Sequence, residues 1–362
     1  MSTYQIIGLS FAAVGVLSLI ILWVEKQIKN SFSLSSLPAT HVMIRLIGIL
    51  VGGLFIYSGF IKANDYTGFA YKLEEYFVVF GTDFMKPLAF PLAWFISVFE
   101  IALGIAIILS FQMVLTSWLA ILMMIFFTVL TGYSHFTGAV TDCGCFGDAL
   151  KIEPWESFTK DIILTGMLIP LFIFRKQIKP LPNSRIAGLA TLAVFIVSGA
   201  FASYCRANLP VIDYRPYKVQ TDLETCTTEM GPDGLPPCKD WALFFMAEEI
   251  NVFEGNVLMM IMHNLNETPE KQLQKSIDLA HELKGNKVEV LATTATGSST
   301  VKEMDTQYSF PYDFALMDET VLKTIVRSNP GYMLLKDGII IKKWHYNNIP
   351  SPEEIQRLLS SK

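Results

Sequence analysis

The sequence predicts a membrane-embedded α-helical bundle of about six transmembrane helices, followed by an α/β domain outside the bilayer. Three observations predict it. Of 362 residues, 52% are apolar, and they are unevenly spread. Six stretches match the roughly 20 apolar residues that a bilayer crossing needs. After Cys205 no such stretch follows; 16 basic and 22 acidic residues crowd into 206–362, where short apolar runs alternate with helical patterns.

The six stretches are Tyr4–Val24, Met43–Ile61, Leu88–Phe111, Val114–Tyr133, Phe158–Phe174 and Ile186–Tyr204. The first lacks a basic leading region and a small-x-small cleavage site, so it reads as a retained span rather than a signal peptide. Ala202-Ser203-Tyr204-Cys205 is a poor lipoprotein site, because Tyr204 is too bulky before the cysteine.

Lysine and arginine set the orientation. Lys26, Lys29 and Arg45 flank the loop after the first span; Arg175, Lys176, Lys179 and Arg185 lie between the fifth and sixth. Only Glu25 opposes them, so both loops read as cytoplasmic. Residues 62–87, 134–155 and everything after Tyr204 then face outward. The expected location is a bacterial inner membrane with the C-terminal domain in the periplasm. All five cysteines (143, 145, 205, 226, 238) fall on that oxidising side, where disulfides persist. The C-terminal part is net acidic, which argues against nucleic acid as a partner.

Cys143-Gly144-Cys145 is the most informative run. Two cysteines with one residue between them can close a small disulfide that reduces and reforms readily. Metal binding and a structural turn are the competing readings. Zinc fits two thiolates with flanking acids poorly without further His or Cys, so no metal is expected. Glu100 lies mid-span, where a carboxylate is costly unless paired, protonated or facing water. It reads as a proton acceptor, a partner for a bound quinol, or a helix–helix hydrogen-bonding group. Lys62 ends the second span and can snorkel to the interface. Lys160-Asp161 reads as a local ion pair at the start of the fifth span. His135 either deprotonates a thiol or is structural. Phe69, Leu73, Tyr76 and Phe77 recur at helical spacing, which predicts an amphipathic helix on the outer surface.

The motifs Phe55-Ile56-Tyr57-Ser58-Gly59-Phe60-Ile61-Lys62-Ala63 and Gly68-Phe69-Ala70-Tyr71-Lys72-Leu73-Glu74-Glu75-Tyr76 resemble the DoxX family. Glu100 with Gly104, and Asp142-Cys143-Gly144-Cys145-Phe146-Gly147, resemble its branch named for methylamine utilisation protein MauE. The resemblance covers Met43–Phe174. It implies a four-helix membrane unit with thiol–disulfide or quinone-linked electron transfer. Read from the residues themselves, Cys143, Cys145, Glu100 and His135 are the candidate reacting groups, a quinone is the candidate cofactor, and a periplasmic client or redox protein is the candidate partner.

The expected domains are 1–41 (an additional helix and cytoplasmic loop), 42–178 (the four-helix domain), 179–205 (a sixth helix), 206–240 (a linker) and 241–362 (the α/β domain). In the last, strands are expected at Val257–Met262, Val288–Thr293, Asp313–Met317, Gly331–Lys336 and Ile339–Trp344. Helices are expected at Pro269–Leu283, Ser298–Tyr308, Glu319–Arg327 and Pro352–Leu359. Asp337-Gly338 is a hairpin signal. This order, with Pro330 before the penultimate strand, resembles a thioredoxin fold, which implies a cis bond at Pro330. The sequence departs from that fold where a Cys-x-x-Cys belongs: His263-Asn264-Leu265-Asn266-Glu267-Thr268-Pro269 holds no cysteine. The domain therefore reads as a binding module. Cys226 and Cys238 flank a turn-rich loop and read as a structural disulfide or an electron-shuttling pair; Cys205 is a buried thiol or a resolving cysteine.

Overall fold

A computed structural model describes residues 38–140, 144, 146–150, 152–231, 234, 236–238 and 252–360. The expected first span, Tyr4–Val24, lies outside them. The chain divides into two compact units at Cys205/Arg206.

In the first unit, α1 is Pro38–Asn64, α2 Tyr66–Val79, α3 Ala89–Ile108, α4 Met113–Thr137, α5 Pro154–Ile173 and α6 Ser184–Ala207. Among the described residues, His41–Asn64, Asp83–Ile108, Met113–Thr137 and Ser184–Ala207 are long and apolar enough to cross a bilayer. The chain is a multi-pass membrane protein. Helix α5 packs in the same bundle but carries Glu156, Lys160 and Asp161 in its first two turns.

Small residues set how closely these helices approach. A Cβ on Gly52 would sit 2.6 Å from the carbonyl oxygen of Gly104, and one on Gly104 would sit 2.6 Å from that of Gly52. Gly59 meets Ser97 and Ile101 in the same way. Helices α1 and α3 therefore touch backbone to backbone. Against α3, α6 seats Trp94, whose Nε1 donates to the carbonyl of Gly199 at 3.2 Å and to Ser203 Oγ at 3.1 Å. The N-terminus of α5 is fixed by Pro154 at its first position and a reciprocal Glu153/Glu156 capping box.

Helix α2 covers the bundle with its apolar side: Tyr66, Phe69, Ala70, Leu73 and Tyr76 are buried, while Lys72, Glu74 and Glu75 are only partly so. Asp65 caps it by accepting from the Gly68 N–H at 3.1 Å. Tyr66 donates to the Phe90 carbonyl at 2.7 Å, and Tyr76 shares a 3.0 Å hydrogen bond with Ser134. Its aromatic side chains thereby meet both α3 and α4.

In the second unit, α7 is Leu223–Thr228, α8 Glu270–Leu283, α9 Ser298–Tyr308, α10 Glu319–Ile325 and α11 Pro352–Ser360. The strands are β1 Asn256–Ile261, β2 Glu289–Thr294, β3 Phe314–Leu316, β4 Gly331–Lys336 and β5 Ile339–His345. They form one mixed sheet in the order β3-β2-β1-β4-β5, with β1, β2 and β3 parallel and β4 and β5 antiparallel to their neighbours. This arrangement is consistent with a thioredoxin-like domain. The Asn329–Pro330 bond is cis. Alternation sorts β1: Val257, Met259 and Ile261 pack with Leu322 and Ile325, while Leu258 and Met260 pack with Leu273 and Ile277.

A strap precedes the sheet. Asp213 accepts from Arg215 Nε at 2.8 Å and from Lys343 Nζ at 2.5 Å. Lys343 also donates to the Ile325 carbonyl, and Arg215 to that of Thr324, both at 3.1 Å. Burial, with repulsion from Arg215, pushes the Lys343 ammonium down to about 7, against the attraction of Asp213. Burial works to raise the Asp213 carboxyl, but Arg215 and Lys343 outweigh it and hold the group below the usual range.

Candidate functional site

The last turns of α1 and the middle of α3 bring Lys62 and Glu100 together. Their side chains are 2% and 5% exposed, and Lys62 Nζ lies 2.7 Å from Glu100 Oε2. Lys62 also donates to Ser58 Oγ, one helical turn back, at 2.7 Å. The ammonium faces the rings of Phe127 at 4.7 Å and Phe69 at 5.6 Å, an arrangement that favours a desolvated cation. Lys62 does not snorkel; its charge turns inward because Glu100 stands in the facing helix.

A second pair lies on the same cavity. Lys160 Nζ is 2.8 Å from Asp161 Oδ1, and Asp161 is buried. Thr131 of α4 donates to Asp161 Oδ2 at 3.0 Å. Ser58, Lys62, Glu100, Phe146, Lys160 and Asp161 all line this cavity, which has about 20 Å³ of room for the centre of a water. That is space for about one water. A quinone ring does not fit, since pockets for molecules of that class run to roughly 300 Å³ or more. The cavity can hold a hydrogen-bonded water between two ion pairs and so pass a proton among a carboxylate, a hydroxyl and an ammonium.

The lining reaches the motif loop through Phe146, which follows Cys145 in sequence. Phe146 is buried, lies 5.7 Å from the ring of Tyr57, and carries Lys160 Nζ 5.0 Å from its centroid. Gly144 takes φ +67°, and a Cβ there would sit 2.8 Å from Lys72 Cγ of α2. Only glycine therefore meets both demands, the left-handed backbone and the close approach. Lys72 in turn pairs with Glu75 at 2.6 Å.

Cys143 and Cys145 themselves lie outside the described residues. His135 is exposed near the end of α4 and stacks on Phe158. Cys205 is buried. Cys226 and Cys238 form a disulfide in the second unit, so neither is in the dithiol form. Sequence reasoning missed Ser58, Thr131 and Phe146. Ser58 stands four residues before Lys62, a spacing that could have flagged it; Thr131 carries no local signal.

The second unit has a different arrangement beside cis-Pro330. Asn329 Nδ2 donates to the Asn264 carbonyl at 2.7 Å, and Thr268 Oγ1 donates to the same oxygen at 2.9 Å. Thr268 also reaches Asn329 Oδ1 at 3.2 Å. Hydrogen bonds knit this loop where a dithiol would sit. His263 beneath it is buried, and burial together with Lys323 and Arg327 lowers its imidazole to about 3. Burial lowers His345 to about 4.

Fold and site together define a multi-pass membrane protein whose helical bundle encloses paired charges beside a Cys-Gly-Cys motif and carries an α/β unit after it. Residues 40–174 match the family model described as Methylamine utilisation protein MauE. The chain is similar to Protein TlpB of Flavobacterium psychrophilum, 30% identical over 177 residues. That similarity covers 47% of this chain and 45% of that protein, so the match spans less than half the length of either. No solved structure matches the chain.

Proposed function

We propose that this chain is a membrane thiol–disulfide oxidoreductase of the MauE type that supports maturation of exported proteins, with Cys143 and Cys145 as the exchanging pair. One observation carries the reading. Phe146, next to Cys145, seals a buried cavity that holds two ion pairs, Lys62–Glu100 and Lys160–Asp161. Intramembrane charges beside a water-sized space are costly and are retained where protons move.

In this reading a thiolate of one cysteine attacks a client disulfide. The client S–S bond breaks, a mixed disulfide forms, and the second cysteine displaces it. Two electrons pass to the client. The Cys143–Cys145 pair ends as a disulfide, and its two protons end on the client thiols. The reverse sequence oxidises a client dithiol. Lys72 approaches Gly144 and Lys160 lies over the ring of Phe146, the sequence neighbours of the cysteines, and cations there favour thiolate. Glu100 and the cavity water take up and return protons. The periplasmic placement of the loop and of the second unit is part of this proposal. It is supported by the bases at the opposite end, where Arg45 donates to the Lys179 carbonyl at 2.6 Å and to Ser110 Oγ at 3.0 Å.

The test uses membranes containing the full chain, with free thiols trapped by an alkylating mass tag. We expect Cys143 and Cys145 to shift together between tagged and untagged forms when reductant, oxidant or the quinone pool is changed. A pair fixed in one state, with a Cys143→Ser variant that retains full activity, sinks the reading.

A second reading, a non-catalytic anchor that grips an exported partner through its thioredoxin-like unit, is favoured by the Asn264–Thr268–Asn329 knot. It predicts that crosslinking from the second unit recovers one exported protein, equally from wild type and from Cys143→Ser.

A further inference from the structure

The second unit carries a surface that the proposed chemistry does not use. Val211 and Ile212 are 60% and 41% exposed, and Tyr214 is 40% exposed. These side chains are not loose. Asp213 and Arg215, between and beside them, point inward to the Lys343 lock, and Tyr217 is buried in the sheet's core. From Ile212 to Tyr217 period-two alternation turns Ile212 and Tyr214 outward and Asp213, Arg215 and Tyr217 inward, and Val211, just before it, is exposed as well.

The position of this strap in the chain identifies what covers it. Helix α6 ends at Ala207. Its exposed face carries Ile196, Val197 and Tyr204, with Arg206 exposed in the last turn. From Ala207 to Val211 the chain can extend at most about 14 Å. Within the second unit, the last residues of α6 are tied to the turn after β5: Asn347 Nδ2 donates to the Ala207 carbonyl at 2.8 Å, and Asn348 Nδ2 to Asn208 Oδ1 at 2.7 Å. The helix exit and the apolar strap thus lie together on one end of this unit. An aromatic ring with a polar tip, set among branched aliphatics just past a membrane span, suits the bilayer's interfacial layer.

We propose that Val211, Ile212 and Tyr214 form a lipid-docking surface that seats the second unit on the bilayer. The lipid is recognised by its acyl and glycerol region through Val211, Ile212 and Tyr214; Arg215 and Lys343 are turned inward onto Asp213, and Arg206 and Lys218 are exposed on either side of the apolar patch. The same end of the sheet bears His345, cis-Pro330 and the Asn264–Thr268 loop, because Gly331 pairs with both His345 and Ile261.

The test is photolabelling of the full chain in phosphatidylcholine vesicles whose acyl chains carry a diazirine near the glycerol. Labelled peptides are mapped by mass spectrometry. The expected result is labelling of residues 208–217 several-fold above α9, with α6 labelled as an internal standard. A triple variant, Val211→Asp, Ile212→Asp and Tyr214→Asp, should lose that labelling several-fold while α6 keeps its own. These positions are exposed, so the fold tolerates the change. Labelling of 208–217 no higher than that of α9 overturns the proposal, as does labelling unchanged in the variant. Crosslinking of 208–217 to a second copy of the chain in place of lipid assigns the surface to self-association and overturns it too.

Discussion

The two units bury charge in opposite ways. In the bundle, Lys62–Glu100 and Lys160–Asp161 border a space that admits a water. In the C-terminal unit, Asp213, Arg215 and Lys343 meet one another and the Thr324 and Ile325 carbonyls. The first arrangement leaves room for a proton to arrive and depart. The second satisfies its donors with fixed protein oxygens and acts as a clamp. The second unit also ties Cys226 to Cys238, whereas in the membrane unit Phe146, which follows Cys145 in sequence, lines the cavity.

The largest expected effect tests whether the bundle's charges are structural. Glu100→Ala leaves Lys62 buried without its carboxylate and should lower stability by about 3–5 kcal/mol, read by thermal unfolding in detergent. The pair Lys62→Met with Glu100→Leu should recover most of that stability. If the double variant is also fully active, the contrast between the two units collapses, because both sets of charges would then be structural.

Removing the second unit's disulfide should cost about 3 kcal/mol for a loop of this size. Cys226→Ser should therefore unfold that unit earlier, yet leave the redox titration of Cys143 and Cys145 unchanged. A shifted titration would mean that the two units share electrons. Gly104→Val forces α1 and α3 apart and should destabilise the bundle by about 2 kcal/mol, with the second unit's hydrogen exchange unaffected.

The smallest effect concerns pH. His263, at about 3, is held below its unfolded value near 6.5, so between those values the native state binds fewer protons. Stability of the second unit falls as pH falls through that window, by roughly 2 kcal/mol at pH 5. Lower protection factors in β1 and β4 at pH 5 than at pH 7, after correction for the slower intrinsic exchange at low pH, would report it, and His263→Asn should flatten the difference. Equal protection at both values would remove His263 as the cause.

Much of this architecture is legible in the sequence because it is local. Period-two runs and the Asp337-Gly338 turn mark β4 and β5 to within a residue, and Ser298–Tyr308 is helical over the expected span. The helices follow from apolar length. What is not legible is what packing decides. Lys62 and Glu100 are 38 positions apart, and neither signals that the other will face it. The spacing of α2 shows an apolar side but not that Tyr66 and Tyr76 will find Phe90 and Ser134. Thr131 becomes a partner of Asp161 only because Gly132, beside it, lets the ring of Phe158 approach within about 3 Å of a Cβ position.

The glycine contact between α1 and α3 has a mechanical consequence. Gly52 and Lys62 are ten residues apart, about 15 Å along one rod. The rods are therefore joined along a seam, by close backbone contacts at Gly52–Gly104 and Gly59–Ser97 and by the ion pair at Lys62–Glu100. Two glycine contacts a further turn or two apart fix the angle between the rods, so removing the ion pair by substitution loosens the cavity end of the seam and leaves the rest of it clamped.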